Sequence, residues 1–254
     1  MTDDRRRERI DGFLALSQEY LDANPHDVYV ESHTNDAFIT AAEQVFSWCS
    51  PHVPDTGRVL DWGCRHAPDA YFIRHEHGDG VELHAAEVDD PATFGLFHKA
   101  SSIEYRQLRD QVEIPYEADS FDFIVAAGVL EHVPMGYESL KELNRVSAVG
   151  VQLVITFLPN RLSIDERRRR RRADIPNRPG QPHHLRRYSP KEITRLLLHT
   201  GWIPDECGYQ TRLDLLGPRA GGRPAGIARR AAGRLGLRRV TSCLSVRATK
   251  FAMM

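Results

Sequence analysis

Apolar residues along the chain recur with two different periods, and the order in which those periods alternate carries the first structural expectation. Phe13, Leu14, Leu16, Tyr20 and Leu21 lie at helical spacing within residues 5–22, and Asn24-Pro25-His26-Asp27 ends that helix. A second helix is expected over roughly 35–49, through Phe38, Ile39, Ala42, Val45, Phe46 and Trp48. Short apolar or alternating runs then mark strands at 58–62, 81–87, 103–107, 121–127 and 151–157. Helical segments around 68–76 and through Leu140, Leu143 and Val146 fall between them. The run Phe121 to Ala127 is almost wholly apolar, as a central strand covered on both faces should be. Further on, Ser189 is placed to cap a helix, with Pro190 at its first position and Glu192 completing a capping box. That helix ends at Gly201, and two last strands are expected at 203–211 and 241–249. Strands alternating with helices in this way predict an α/β chain.

One strand end stands out. Arg58-Val59-Leu60-Asp61-Trp62-Gly63-Cys64-Arg65 reads as strand, tight turn and the approach to a helix. In an open α/β sheet such a turn lies at the carboxyl end of the strand, where ligands bind. Gly63 lets a ligand approach the main chain, and Asp61 can accept hydrogen bonds from an amine or hydroxyl.

Composition narrows the setting. The 254 residues suffice for one α/β domain with additions, and 41% hydrophobic content supplies a core. Cys49, Cys64, Cys207 and Cys243 form no C-x-x-C pair, which argues against a disulfide framework or a zinc site and for a reducing compartment. The N-terminus has no apolar core of signal-peptide type and no run is long enough to span a bilayer, so a cytoplasmic protein is expected. The net charge of −1 hides a division. Residues 1–160 carry 12 Lys+Arg against 28 Asp+Glu, whereas residues 161–254 carry 22 against 7. The basic C-terminal part suits an anionic partner, although 30 of the 34 basic residues are Arg and compositional drift explains the split equally well.

Four segments together resemble the class I S-adenosylmethionine-dependent methyltransferases, in their small-molecule, ubiquinone-biosynthesis-like branch. VLDWGC at 59–64 resembles that family's first motif, and FDFIVAAGVLEHV at 121–133 its fourth-strand motif. LVITFLPNRLS at 153–163 resembles the fifth strand and its turn, and HLRRYSPKEITRLLLHTGW at 184–202 the late helix. The resemblance implies a Rossmann-like, doubly wound sheet of seven strands, mostly parallel with an antiparallel last strand and helices on both faces. It divides the chain into an N-terminal helical cap, 1–52, and a methyltransferase domain, 53–254, with an Arg-rich insertion at 161–187 and a basic insertion at 212–240. The cap helices either close over the cofactor or serve structure alone. Ile227 to Arg239 could form a basic amphipathic helix.

By the same resemblance S-adenosylmethionine is the cofactor, and Asp61, Gly63, Cys64, Glu87, Asp110 and Gly128 bind it. Glu87 would take the ribose hydroxyls, with Asp89 as the alternative; Asp110 would sit by the adenine amino group, with Gln111 as a neighbour able to do the same. His184 and His132 are the candidate bases for a hydroxyl acceptor, with Glu131 beside them. Some relatives bind magnesium through Glu-x-x-Glu-His after the fourth strand; Gly128 replaces the first acid here, and no obligate metal is expected. His75-Glu76-His77 reads as a solvated face. The main departure is Arg65-His66-Ala67-Pro68, where the family has Gly-x-Gly, so that side chains would crowd the methionine end or reshape the loop.

The resulting expectation is methyl transfer to an oxygen of a small-molecule, sugar or lipid-linked acceptor, anionic if the basic segments contact it. A basic helix could also lie at a membrane surface. The alternatives are a catalytically weak or inactive scaffold of the same fold and an RNA methyltransferase. Nucleic acid is not the expected partner, because no accessory RNA-binding or base-reading motif is present.

Overall fold

The computed structural model describes residues 3–110, 112–163, 184–210 and 243–251. The Arg run 167–172, Gln111 and the whole of 212–240 lie outside the described residues. The strands are β1 (Gly57–Trp62), β2 (Val81–Glu87), β3 (Glu104–Gln107), β4 (Phe121–Ala127), β5 (Ser147–Leu158), β6 (Trp202–Gln210) and β7 (Cys243–Lys250). They form one sheet in the order β3-β2-β1-β4-β5-β7-β6. β3, β2, β1, β4 and β5 run parallel to their neighbours, and β7 is antiparallel to both β5 and β6. The helices are α1 (Asp3–Ala23), α2 (Val28–His33), α3 (Asp36–Cys49), α4 (Pro68–His77), α5 (Gly95–Ala100), α6 (Gly136–Val146) and α7 (Pro190–His199). This is the expected doubly wound sheet with a reversed last strand.

Successive side chains of a strand point to opposite faces, and here both faces are covered. Val59 and Phe123 pack with Phe13 of α1, Phe46 of α3 and Phe72 of α4 on one side. Leu60, Ile124 and Leu153 pack with Leu140 and Leu143 of α6, and Ile193 and Leu197 of α7, on the other. β2 alternates in sequence but is buried at every position except Glu82: α4 packs against it, and Tyr116 and Phe121 pack on His84.

Local chemistry fixes the element ends. Asp27, in the segment that breaks the first helix, caps α2 by accepting from the Val30 amide at 3.0 Å. The capping box of α7 is present: Ser189 Oγ accepts from the Glu192 amide at 3.3 Å, and the Glu192 carboxylate accepts from the Ser189 amide at 2.8 Å. β5 begins at Ser147, earlier than expected, directly from the end of α6.

α1 is locked onto the domain by buried charge. Glu43 of α3 is fully buried and accepts from Arg9 Nη2 at 2.8 Å, from Ser47 Oγ at 2.9 Å and from Arg6. Arg9 is 3% exposed and also pairs with Glu76 of α4. The solvated face expected at 75–77 holds only in part: His75 is exposed, its ring packing on Tyr71 with centroids 4.2 Å apart, whereas Glu76 is half-buried and pairs with Arg9.

Candidate functional site

From β1 the chain runs outward through β2 to β3 on one side, and the sheet continues through β4 and β5 on the other. That reversal opens a crevice at the carboxyl ends of the strands. A cavity of about 290 Å³ lies there, near the lower end of the range for ligand sites. Its floor comes from the ends of β1 (Asp61, Trp62), β2 (Glu87) and β4 (Ala127, Gly128), and its roof from Tyr29 and His33 of α2 and Phe38 of α3. Phe157, at a φ of +57°, stacks on Phe38 with centroids 6.4 Å apart and closes one end.

The loop after β1 sets the shape of the floor. Gly63 has a φ of +75°, and a Cβ there would come within 2.4 Å of Val129 Cγ2, so only glycine fits where the β4 loop passes. Arg65 and Ala67 hold φ values of +44° and +49°. These are the left-handed conformations that glycine adopts freely and that cost other residues about 1–2 kcal/mol each. The turn is held by His98, whose Nε2 donates to the Arg65 carbonyl at 2.7 Å while its ring stacks on Tyr105. The side chains at 65–67 turn away from one another. The Arg65 guanidinium lies 4.6 Å from the Tyr29 ring centre and 3.9 Å from Asp89. His66 is buried among Phe13, Tyr29, Phe94 and Phe97, and burial lowers its pKa to about 3, so the ring is neutral.

Charge in the floor is one-sided. Asp61 and Asp69 are 3% and 4% exposed, and burial raises the pKa of both, that of Asp61 further through its proximity to Asp69. Asp61 Oδ2 makes no hydrogen bond. Glu87, also raised by burial, accepts from the Val88 amide at 2.7 Å. Burial pushes the Cys64 thiol up as well, and its Sγ lies 3.7 Å from His98 Nε2.

At the rim, two loops converge. The Arg186 amide donates to the Glu131 carbonyl at 3.1 Å, and the Tyr188 amide to the Pro159 carbonyl at 3.0 Å. These bonds draw the segment before α7 against the ends of β4 and β5. His184 is thereby set opposite His132, with ring centroids 5.1 Å apart. His132 Nε2 is 3.9 Å from Glu131 Oε1, and the donor atoms of Glu131, His132 and His184 all lie within 4.8 Å of one another. Such a group can take a proton from a hydroxyl or receive a cation.

Residues 34–204 match the profile of the methyltransferase domain, a span that holds the floor and rim of this cavity, while Tyr29, Ser32 and His33 line it from just before that span. The chain belongs to the methyltransferase-domain family. It is an enzyme, and its cofactor is S-adenosylmethionine. Solved structures share the fold at low identity. A putative methyltransferase of Haloferax volcanii, solved in complex with the Trm112 methyltransferase activator, aligns with a TM-score of 0.66 and 13% identity over 94% of this chain and 98% of its own. An S-adenosylmethionine-dependent methyltransferase of Methanosarcina mazei gives 0.58 and 15% over 81% and 98%. Geranyl diphosphate C-methyltransferase of Streptomyces coelicolor gives 0.57 and 13% over 82% and 77%. No curated protein matches the sequence.

Within this methyltransferase, Asp61, Gly63, Cys64, Glu87, Gly128, Glu131, His132 and His184 all line the one cavity. Asp110 does not: it is exposed, and its Oδ1 accepts from the Val112 and Glu113 amides at 2.8 and 2.9 Å, capping its own turn. Leu108 lines the cavity from that segment instead. Asp69, Tyr29, His33 and Phe157 are lining residues that the sequence reading did not single out. Asp69 carried the only signal, an acid directly after the proline that opens α4.

Proposed function

We propose that this methyltransferase transfers the methyl group of S-adenosylmethionine to an oxygen of a small-molecule, sugar or lipid-linked acceptor. The observation that supports it most is the convergence of Glu131, His132 and His184 at the rim of the cavity whose floor is Asp61, Gly63 and Glu87. The floor fits the cofactor. Asp61 offers a buried carboxylate oxygen without a partner, suited to the amino group of the amino-acid end. Glu87, at the tip of β2, can accept both ribose hydroxyls. Gly63 and Gly128 line the cavity without side chains and would let the cofactor approach the main chain, and Cys64 lines it beside Gly63. In our reading the adenine lies against Leu108, since the Asp110 oxygen is engaged in its own turn.

The cofactor supplies an electrophilic methyl group on a positively charged sulfur. The protein must hold the acceptor oxygen in line with that methyl group, and proximity and orientation can supply much of the acceleration. His184 or His132 takes the hydroxyl proton, and Glu131 orients the pair. The excess of basic residues after 160 is compatible with an anionic acceptor or contact with a membrane surface, and the four free cysteines suit the cytoplasm. Among the described residues, no helix is long and apolar enough to cross a membrane. Against an inactive scaffold, the loop takes the left-handed backbone that glycine would allow at Arg65 and Ala67 in spite of their side chains.

Calorimetric titration with S-adenosylhomocysteine tests the cofactor part of this reading. The wild type is expected to bind, and Asp61→Ala to lose about a hundredfold in affinity. Equal affinity of the two proteins would remove Asp61 from the site. Screening hydroxyl acceptors for methylated product tests the remainder.

A further inference from the structure

We propose that Asp69 is a second cofactor carboxylate, which together with Asp61 forms a two-acid seat for the ammonium group at the cofactor's amino-acid end. The inference rests on the cofactor reading above and adds a residue and a proton linkage to it. Asp61 stands at the end of β1 and Asp69 in the first turn of α4, and both line the same cavity. Each is more than nine-tenths buried, and among the described residues neither forms an ion pair with a cation. An acid in the first turn of a helix ordinarily faces solvent and serves the helix dipole. Asp69 is instead buried, with its carboxylate bonded to its own amide and close enough to Asp61 for its charge to disfavour ionisation there.

Two buried acids side by side cannot both ionise without a nearby positive charge. The empty pair therefore keeps a proton near neutral pH, with Asp69 pushed up to about 7 by burial. An ammonium ion seated between the two carboxylates favours their ionised forms, so binding expels that proton to solvent. The pair interacts with Glu87 on β2, Cys64 on the loop and Cys49 on α3, and Arg65, His66 and His33 line the same cavity. All of them persist when Asp69 alone is changed, so the difference between wild type and Asp69→Asn isolates the pair. The sign follows directly. Protons leave on binding, so affinity rises with pH through the range in which the empty pair titrates, and levels off above it.

The test is calorimetry of S-adenosylhomocysteine binding in buffers of different ionisation enthalpy between pH 6 and 8, on wild type and on Asp69→Asn of matched thermal stability. Wild type is expected to release a substantial fraction of one proton near pH 7 and to bind more tightly as pH rises. Asp69→Asn is expected to lose most of that release and roughly tenfold in affinity. Wild-type binding without proton release or pH dependence overturns the seat and needs no variant to interpret. Release and affinity that persist unchanged in Asp69→Asn also overturn it, and leave the cofactor reading standing. A wild type that binds no S-adenosylhomocysteine at any pH removes both.

Discussion

His184→Ala is expected to lower kcat by about 10²–10⁴ while leaving the affinity for S-adenosylhomocysteine unchanged. His184 stands at the rim, 5.1 Å between ring centroids from His132, whereas the floor that would hold the cofactor is built from β1, β2 and β4. Removing the imidazole therefore takes away the proton acceptor without touching the amino-acid or ribose ends. His132→Ala is expected to behave in the same way if the two rings work as a pair, and the double variant should then lose little more than either single one. Steady-state kinetics with a competent acceptor, alongside calorimetry, separates the two parameters. A fall in cofactor affinity with kcat unchanged would move His184 from the acceptor to the cofactor.

The second large effect concerns stability. Glu43→Ala strips the buried Arg9 guanidinium of its most buried partner and also removes the acceptor of Arg6 and Ser47. Breaking a buried pair from one side typically costs about 3–5 kcal/mol, because the remaining charge is left in a poor solvent. At about 2–4 °C per kcal/mol for a chain of this size, the melting temperature should fall by roughly 6–20 °C. Thermal unfolding followed by circular dichroism reads this directly, and a shift below about 2 °C would show that Glu76 alone suffices for Arg9. The loss reaches the site as well, since α1 and α3 pack on α4, whose first turn carries Asp69.

What the sequence revealed and what it concealed have physical causes. The parallel strands were legible because a strand covered on both faces must be apolar at nearly every position, as Phe121 to Ala127 is. The late helix was legible because Ser189, Pro190 and Glu192 act within one turn of each other. Backbone conformation was not: the residues leave open whether Arg65 and Ala67 crowd the cofactor or reshape the loop, and only the structure gives their left-handed φ values, in a turn held by His98 from α5. Burial of charge was hidden too. Glu76 reads as part of a solvated face, and only the packing of α1 brings it onto Arg9, while Asp69 is buried although the sequence reading did not single it out. Asp110 failed in the opposite sense, because its carboxylate satisfies two amides of its own turn before any ligand arrives. The histidines could be named singly, but their meeting depends on hydrogen bonds between the segments after β4 and before α7.

The most direct test of the central claim is a crystal structure of the protein with S-adenosylhomocysteine bound. The amino-acid end is expected between Asp61 and Asp69, the ribose against Glu87 and the sulfur facing the rim formed by His132 and His184. Density for the ligand elsewhere on the molecule, or a ligand in this cavity with its sulfur turned away from both histidines, would contradict the proposed site and the methyl transfer built on it.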